Sequence, residues 1–473
     1  MEAPVASFRD PDGSLIRLGQ NIFRWLREDN PVLSHEGAAA QIVRAAQSEG
    51  AWIPSESASP KARAELLAAG FPPPGPDYAL LSHPGIWFPS YPSEWCPSML
   101  ADAGRLTLDL ALRLLEAGFE LKDGTPANVL YEGSRPVFVD HASVAPRPPG
   151  ALGWHAYGQF SRTFVIPLLL HQLRGLPLAM VFQPRRDGIP PELASRLLGT
   201  SKFLHPIALT HVVLPAWLVK RNRMGPATQA RTSDHGKAIT RSILQQLSRQ
   251  LTKLISRAAG TSDWSTYQHT PSSYSEDESA TKLRAVASVI DTLQPTQVLD
   301  LGTNLGHHAF LAAERGARVV AVDSDAASIE QLYRRAKDLR ADILPLVLDL
   351  GRPTPSMGWN LSEERSWQSR AEGKFDLVMM LALIHHMLVI ERIPLAEILR
   401  LASRLTRKHL LIEWVDPRDD HFQRIAGPNL PLYRDLDAAR FEAAATEHFD
   451  IISRVPLKGG LRCLYGMTLR HPS

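Results

Sequence analysis

Cysteine is scarce in this chain: Cys96 and Cys463 are its two cysteines among 473 residues, and they lie far apart. Two distant cysteines exclude a disulfide framework and a cysteine-rich zinc site. Charge of one sign is also lacking, since 52 Lys and Arg against 49 Asp and Glu leave a net charge of +3. So close a balance gives no strong reason to expect binding to nucleic acid or to an anionic membrane.

The sequence also lacks an uninterrupted apolar run of membrane length. The longest candidate, residues 164–182, reads FVIPLLLHQLRGLPLAMVF and is interrupted by proline, histidine, glycine and arginine. Because a charged residue at the centre of a span is costly in lipid, we expect one or two buried helices instead. The first residues, MEAPVASFRDPDG, have no basic segment followed by an apolar one. We therefore expect no secretory signal and a cytoplasmic protein.

The chain is long enough for two or three hydrophobic cores. A polar stretch over 219–237 looks like a loop, and a helical pattern of apolar residues follows from Ile239 to Ile255. A second polar segment, AAGTSDWSTYQHTPSSYSEDES, precedes the C-terminal part. The sequence thus predicts an α+β domain over 1–175, a helical connecting region over 176–260 and an α/β domain over 261–473.

Short apolar strands alternate with helical segments from residue 281 onward. The predicted strands are Gln297–Leu301, Arg318–Val322, Ile343–Leu348, Phe375–Met380 and Lys408–Trp414, and the predicted helices are Ala285–Leu293, Ala309–Glu314, Ala327–Leu339 and Ile393–Arg404. This alternation predicts a Rossmann-like, doubly wound parallel sheet. Such sheets bind ligands at the carboxyl ends of their strands.

The turn after the first of these strands reads DLGTNLG, from Asp300 to Gly306. Gly302 permits a sharp turn, and we expect Gly306 to let the turn lie close to a ligand. Asp323 follows Gly302 by 21 residues, the spacing at which a carboxylate accepts hydrogen bonds from ribose hydroxyls. The dinucleotide fingerprint G-x-G-x-x-G is not met, since Asn304 stands at its second glycine. Asp300 would repel a pyrophosphate and attract an ammonium group, so the sequence predicts an adenosine ligand that carries one.

This turn resembles motif I of the class I S-adenosylmethionine-dependent methyltransferases, an acid followed by G-x-x-x-G. The resemblance extends over about the last 200 residues, where FDLVMMLALIHHM is similar to the family's fourth-strand segment and HLLIEWVD to its fifth. It implies S-adenosyl-L-methionine as the cofactor. The cofactor site that it implies consists of Tyr274, Asp300, Gly302, Thr303, Asn304, Gly306, Asp323, Ser324, Asp349, Leu350 and Leu381.

Candidates for acting on the methyl acceptor follow the fourth and fifth predicted strands. His385 and His386 lie at the mouth of the expected cofactor site, where an imidazole could take a proton from the acceptor or orient it. The alternative is that one of the pair only packs. Glu413 and Asp416 are further acceptor-site candidates, or they cap the following loop.

Three aromatic residues, Trp264, Tyr267 and Tyr274, precede the first helix of the C-terminal domain. Aromatic side chains in a loop indicate a binding role, and we expect a lid over the cofactor, with packing against the sheet as the alternative. No metal site is predicted anywhere in the chain.

The N-terminal half contains LKDGTPANVLYEGSRPVFVDHAS, in which Asp123 and Asn128 have D-x-x-x-x-N spacing before a predicted hairpin that ends on Asp140. The segment resembles the catalytic loop and metal-binding strand of protein kinases and small-molecule phosphotransferases. It departs from them at His141, where Phe is common, and we find no Gly-rich loop and no Lys or Arg clearly placed on the phosphates before Met99. We predict a degenerate kinase-like α+β domain without phosphotransfer activity. An ordinary hairpin with an Asx turn is the alternative.

Taken together, SFRDPDG, LKDGTPANVL, RPVFVD and VLDLGTNLGHHA resemble a bacterial group of nodulation-protein NoeA-like methyltransferases. The first hypothesis is therefore a methyltransferase that acts on a small-molecule or macromolecular acceptor, with nucleic acid not expected, and whose N-terminal half recognises the acceptor or a partner. The second is a kinase-like phosphotransferase or binding module whose Rossmann-like domain senses a nucleoside.

Overall fold

The structure is a computed structural model of the chain and describes residues 5–6, 12–19, 21–220, 233–256 and 276–470. The chain forms two compact units, one of residues 1–259 with 356–365 and one of residues 260–355 with 366–473. Trp264, Tyr267 and Tyr274, for which a lid is predicted, lie outside the described residues.

The first unit begins with β-strands and becomes helical. Its strands are β1 (Val5–Ala6), β2 (Gly13–Leu18), β3 (Asn21–Arg27), β4 (Glu56–Ser57), β5 (Tyr78–His83), β6 (Phe119–Leu121), β7 (Val129–Glu132), β8 (Arg135–Phe138) and β9 (Val144–Pro146). Its helices are α1 (Ala38–Ser48), α2 (Pro60–Ala68), α3 (Pro97–Glu116), α4 (Tyr157–Phe160), α5 (Ile166–Arg174), α6 (Leu178–Phe182), α7 (Pro191–Leu198), α8 (Pro206–Ala208), α9 (Leu214–Lys220) and α10 (Ser233–Ser256).

Strands β1 to β5 form an antiparallel sheet in the order β1-β2-β3-β5-β4, and β7 and β8 form a separate hairpin. Phe23, Trp25 and Leu80 are buried in a small core that α2 completes with Leu66. The predicted α+β character of this unit is confirmed, whereas its likeness to kinases stays a prediction.

The apolar run over 164–182 folds into helices, as predicted. Helices α5 and α6 are separated at Gly175, whose φ of +63° is the left-handed conformation that glycine adopts without strain. Helix α10 packs on α3, where a Cβ at Gly104 would lie 2.8 Å from Leu251 Cδ1. Among the residues that the structure describes, no helix combines the length and apolar composition that a membrane crossing requires.

The second unit alternates strands and helices. Its strands are β10 (Gln297–Leu301), β11 (Arg318–Asp323), β12 (Ile343–Val347), β13 (Phe375–Met380), β14 (Thr406–Val415), β15 (Phe449–Leu457) and β16 (Arg462–Leu469). Its helices are α11 (Glu276–Leu293), α12 (His307–Ala313), α13 (Ala326–Leu339), α14 (Trp367–Ala371), α15 (Ile384–Val389), α16 (Leu395–Leu405), α17 (Asp420–Ala426) and α18 (Ala438–Ala445).

These strands form one sheet in the order β12-β11-β10-β13-β14-β16-β15. The first five are parallel to one another, and β16 runs antiparallel to both of its neighbours. The central strands are buried along most of their length, as expected for parallel strands with helices on both faces. The predicted doubly wound parallel sheet is therefore confirmed.

The differences from the predicted elements have local causes. The helix predicted from Ile393 begins at Leu395 because Pro394 disfavours helical backbone at the residue before it. Strands β15 and β16 were not predicted. Alternate residues of β15 are exposed, so its apolar signal is weaker than that of a buried strand.

Gly306, the residue before α12, lies against a neighbouring helix. Its φ is +78°, and a Cβ there would lie 2.4 Å from Leu332 Cδ1 on α13. The missing side chain therefore makes room for that helix, and the expectation that it also lets the turn lie close to a ligand stays a prediction.

Replacing Gly306 with alanine should cost more stability than the same change at Gly316. Both glycines have positive φ, +78° and +85°, so both variants carry a left-handed strain of about 1–2 kcal/mol. No atom lies within 4 Å of a Cβ at Gly316, whereas Gly306→Ala adds overpacking of about 1–3 kcal/mol against Leu332. Urea denaturation of both variants measures the difference, and equal losses would show that Leu332 moves aside freely.

Candidate functional site

The turn between β10 and α12 is pinned to the neighbouring strand by its backbone. The N–H groups of Gly302 and Thr303 both donate to the carbonyl of Val322, at 2.9 and 3.0 Å. Gly302 and Asn304 have φ of +74° and +50°, so the chain reverses within a few residues. A Cβ at Gly302 would lie 3.2 Å from Leu383 Cδ1. The turn is thus held at the carboxyl edge of the sheet.

Asp300 is a buried carboxyl group at this turn, with 2% of its surface exposed. The hydroxyl of Thr303 donates to its Oδ2 at 2.7 Å. Burial raises the pKa of Asp300 to about 6, although the hydrogen bond from Thr303 opposes the shift. At pH 7 such a carboxyl group is still mostly ionised, and a cationic ligand would favour its charged form further.

Asp323 ends the neighbouring strand β11 and organises the same turn. Its Oδ2 accepts a hydrogen bond from the Asn304 N–H at 2.8 Å, and its Oδ1 accepts one from the Asp325 N–H at 2.9 Å. Burial raises the pKa of Asp323, and these backbone hydrogen bonds oppose the shift. Each carboxylate oxygen has a second lone pair, so the group can accept further hydrogen bonds from a ligand.

The other predicted cofactor residues follow β11, β12 and β13. Ser324 is exposed directly after β11. Asp349 comes two residues after the end of β12, where its Oδ1 accepts the Gly351 N–H at 2.8 Å and its Oδ2 lies 2.6 Å from Arg352. Leu350 is half-buried, and Leu381, directly after β13, is buried. All of them lie where the parallel strands end.

Three imidazoles meet beside this edge. His385 and His386 lie in α15 after β13, and His421 lies in α17 after β14. The ring centroids are 4.3 Å apart for His385 and His386, and 5.2 and 5.5 Å from each of these to His421. Burial lowers the pKa of all three, to about 4 for His386, so the rings are neutral at pH 7.

Sequence reasoning missed His421. The position of His421 in the sequence could have indicated it, because it follows the fifth strand much as the histidine pair follows the fourth. Adjacent parallel strands end at the same edge of the sheet.

Glu413 belongs to a buried network of charges. Its carboxylate lies 2.5 Å from Lys282 Nζ and 3.3 Å from Arg462 NH1, and its side chain is fully buried. Arg462 also pairs with Asp419 at 2.9 Å, and Lys458 pairs with Asp419 at 2.8 Å. Arg462 and Lys458 hold the pKa of Asp419 well below its usual range, against the opposing effect of burial. An acceptor-site role for Glu413 stays a prediction.

A pocket of about 500 Å³ follows β14 and is lined by Asp416, Pro417, Arg418, Gln423, Leu430, Pro431, Tyr433, Arg434, Leu436 and Asp437. Asp416, predicted either as an acceptor-site residue or as a cap, accepts the Arg418 N–H at 2.9 Å and pairs with its guanidinium. Tyr433 lines the pocket and donates its hydroxyl to the Leu388 carbonyl at 3.0 Å, which ties the pocket wall to α15. The pocket is therefore formed by the segment after β14, which also carries His421.

The first unit contains a separate polar cluster around Asp140. Arg24 of β3 donates to Asp140 Oδ1 at 2.8 Å and to the Val139 carbonyl at 3.1 Å, and both side chains of the pair are mostly buried. Arg24 is thus held by Asp140, and the expectation that no Lys or Arg before Met99 is placed on nucleotide phosphates stays a prediction. Asp123 accepts a hydrogen bond from Gln159 at 3.2 Å.

No family model matches the chain. Nodulation protein NoeA of Rhizobium meliloti (strain 1021) is 28% identical over 465 residues, which cover 98% of this chain and 95% of that protein. One similar solved structure is the N-methyltransferase NodS from Bradyrhizobium japonicum WM9, which is 14% identical over 41% of this chain and 97% of that chain, with a TM-score of 0.31. Another is the PH0226 protein from Pyrococcus horikoshii OT3, which is 16% identical over 45% of this chain and 100% of that chain, with a TM-score of 0.30. Both structural likenesses are too weak to support an inference about this chain.

Replacing Arg462 with methionine should strongly destabilise the second unit. The change leaves Asp419 and Glu413 buried with one cation fewer, which costs about 3–5 kcal/mol at pH 7. Arg418→Met, which removes the exposed partner of Asp416, should cost less than about 1 kcal/mol.

The cost of Arg462→Met should also depend on pH. Because the pKa of Asp419 is lowered in the folded state, its stabilisation is present above the unfolded pKa of about 4 and is lost as the pH falls through the folded value. Arg462→Met removes a cation that holds this pKa down, so the carboxyl group takes up a proton at a higher pH in the variant than in the wild type. Urea denaturation at pH 7 and pH 4 should then show a smaller gap between the two proteins at the lower pH. A gap of the same size at both values would contradict the ionic account.

Proposed function

We propose that this protein is an S-adenosylmethionine-dependent methyltransferase whose second unit binds the cofactor at the turn after β10. One observation carries the proposal: Asp300 and Asp323, at the ends of adjacent parallel strands, flank a turn whose backbone is pinned by Val322. The class I methyltransferase fold belongs to the same proposal, supported by the strand order of the sheet.

The two carboxyl groups have different tasks. Asp300 pairs with the ammonium group of the methionine portion, since a cation stabilises the ionised form of a buried carboxyl group. Asp323 accepts hydrogen bonds from the ribose hydroxyls with the lone pairs that the backbone N–H groups leave. Thr303, Asn304 and Ser324 complete the turn around these groups. Asp349, Leu350 and Leu381, at the neighbouring strand ends, form the adenine side of the site.

Methyl transfer needs little covalent help from the protein, because the sulfonium is already activated. The protein aligns the acceptor with the methyl group, excludes water and manages the acceptor's proton. His385 and His386 act on the acceptor at this point. The pocket after β14 receives part of the acceptor. Glu413, held by Lys282 and Arg462 near the end of β14, is a further acceptor-site residue.

The first unit, in this proposal, recognises the acceptor or a partner. Residues 1–175 form the recognition domain, degenerate and kinase-like, and 176–260 form a helical connection to the methyltransferase domain at 261–473. Similarity to Nodulation protein NoeA runs over 98% of this chain, so that relative contains both parts in one protein, which supports a joint task for them.

The alternative function is a phosphotransferase or nucleotide-binding module in the first unit, with a nucleoside-sensing second unit. The contact between Arg24 and Asp140 disfavours it, because a cation paired with the carboxylate that would hold a metal ion competes with that ion. The same contact also neutralises Asp140 without any ligand, which agrees with a structural role.

S-adenosylmethionine should bind wild-type protein at micromolar concentrations, and Asp323→Ala should weaken binding by about 1.5–3 kcal/mol through loss of a charged hydrogen-bond acceptor. Asp323→Asn, which can still accept one backbone hydrogen bond, separates loss of charge from loss of the turn. Asp342→Ala, an exposed carboxylate before β12, is the control that should bind normally. Calorimetry decides: no binding heat at high micromolar cofactor, or undiminished binding by Asp323→Ala, would overturn the proposal.

Magnesium-ATP should show neither binding to nor hydrolysis by the wild-type protein, because Asp140 is already paired with Arg24. Asp140→Asn should leave cofactor binding by the second unit unchanged. Calorimetry with ATP and MgCl₂, together with a phosphate-release assay, tests this prediction. Magnesium-dependent ATP binding that is lost in Asp140→Asn would instead establish the alternative function.

A further inference from the structure

The imidazole rings of three histidines from two helices form a cluster. Hydrogen bonds among the described residues do not satisfy all of its ring nitrogens. One ring nitrogen from each of His385, His386 and His421 lies within 4.8 Å of the other two. His385 has 1% of its surface exposed, and neither of its ring nitrogens has a hydrogen-bond partner among the described residues. Buried polar atoms are nearly always satisfied, so an exception points to a missing partner such as an ion.

We propose that His385, His386 and His421 together bind a divalent first-row transition metal ion, for which Zn²⁺ is the probe. A neutral imidazole nitrogen is a preferred ligand of such ions, and a set of three resembles an open zinc site in donor type and number. Mg²⁺ and Ca²⁺ prefer oxygen ligands, and the cluster contributes nitrogen.

The geometry requires a modest closure of the rings. Zinc–nitrogen bonds are about 2.0–2.1 Å long, so two ligating nitrogens are at most about 4.2 Å apart and about 3.4 Å apart in a tetrahedral site. Separations of up to 4.8 Å therefore shorten by at most roughly 1.4 Å when an ion binds in tetrahedral geometry. Rotation of the imidazole rings about their χ2 angles supplies such a change, since these torsions are broad.

The three imidazole rings are already neutral, which is the form that binds a metal ion. Burial lowers the pKa of each ring, and Arg462 lowers all three further. At neutral pH no proton has to be removed from an imidazolium before an ion binds.

The charges that face the cluster oppose a cation in part. Arg462, Arg424 and Lys458 are positive, and Asp419 is negative. Arg462 and Lys458 are paired with Asp419, so much of their charge is neutralised. Arg424 is exposed, and its charge is screened by solvent.

Arg424 makes the contact that an ion must alter. Its guanidinium donates to Nδ1 of His421 at 3.1 Å, which puts the proton of the neutral ring on Nε2. An ion bound at Nε2 would shift this proton to Nδ1. The N–H at Nδ1 and the N–H of Arg424 would then point at each other. A glutamine at position 424 offers an amide oxygen that accepts the Nδ1 proton, as the outer partners of metal-bound histidines do. Arg424→Gln should therefore tighten metal binding.

Three protein ligands leave a fourth position on a tetrahedral ion. This part of the inference rests on the proposed methyltransferase function: the ion would bind an oxygen or nitrogen of the acceptor and lower its pKa before methyl transfer. The acceptor would then carry a hydroxyl or amine that can coordinate a metal ion, and the histidines would orient it through the ion.

The test is metal binding by the full-length protein. Elemental mass spectrometry of protein purified without chelator should find close to one zinc, cobalt, nickel or iron ion per chain. Zn²⁺ titration of chelator-treated protein against a chromophoric competitor should give a dissociation constant at least tenfold weaker for His421→Gln and for His386→Gln. His409→Ala, a histidine of β14 outside the cluster, is the matched control and should bind like the wild type, whereas Arg424→Gln should bind more tightly.

Two outcomes would overturn the metal site. In the first, elemental mass spectrometry finds less than a tenth of an ion per chain and the chelator-treated protein takes up no Zn²⁺. The other is uptake that is the same in wild type, His421→Gln and His386→Gln. Urea denaturation of each variant shows that it is folded, and two variants guard against a single structural failure. Calorimetry with S-adenosylmethionine on the same preparations measures cofactor binding independently of metal binding. Failure of the metal site and failure of the proposed function can therefore be told apart.

Discussion

The parallel register of the central strands fixes the positions of the candidate site residues that follow those strands. Leu301 of β10 lies opposite Val322 of β11 on one side and Met380 of β13 on the other, and Met380 lies opposite Ile412 of β14. Because these strands end within a few residues of one another, the side chains that follow them share one edge of the sheet. A shift of a strand by one residue would turn its buried face to the other side. The buried apolar residues of the strands thus hold the polar site in place.

The charged network behind this edge is a second constraint. Glu413, Asp419 and Arg462 have side chains that are almost wholly buried, and such groups persist in a low-dielectric interior only while each is paired. The antiparallel strand β16 supplies Arg462, the end of β14 supplies Glu413, and α11 supplies Lys282. The network therefore ties the parallel strands to the antiparallel end of the sheet. It also brings α17, and with it His421, close to the histidine pair of α15.

The first unit contains a polar cluster of a different kind. Arg24 and Asp140 are 116 residues apart in sequence and meet because β3 and the segment after β8 fold together. His83 and His141 lie nearby with ring centroids 4.9 Å apart and ring planes tilted by 38°, and burial lowers the pKa of His83 to about 4. Neutral histidines beside a neutralised carboxylate give this region little net charge. The pairing explains how Arg24 and Asp140 are tolerated in a mostly buried setting.

The sequence alone determined the alternation of strands and helices in the second unit, because buried parallel strands appear as short apolar runs between helical patterns. It also singled out Asp300, Gly302 and Asp323, since a sharp turn needs glycine and the spacing to the next strand end is local. Tertiary structure decided the rest. Gly306 faces Leu332, Glu413 is held by Lys282 and Arg462, and His421 joins His385 and His386, all through contacts between residues distant in the chain. Such contacts depend on strand order and helix packing, and a linear pattern of apolar and polar residues does not record which distant side chains will meet.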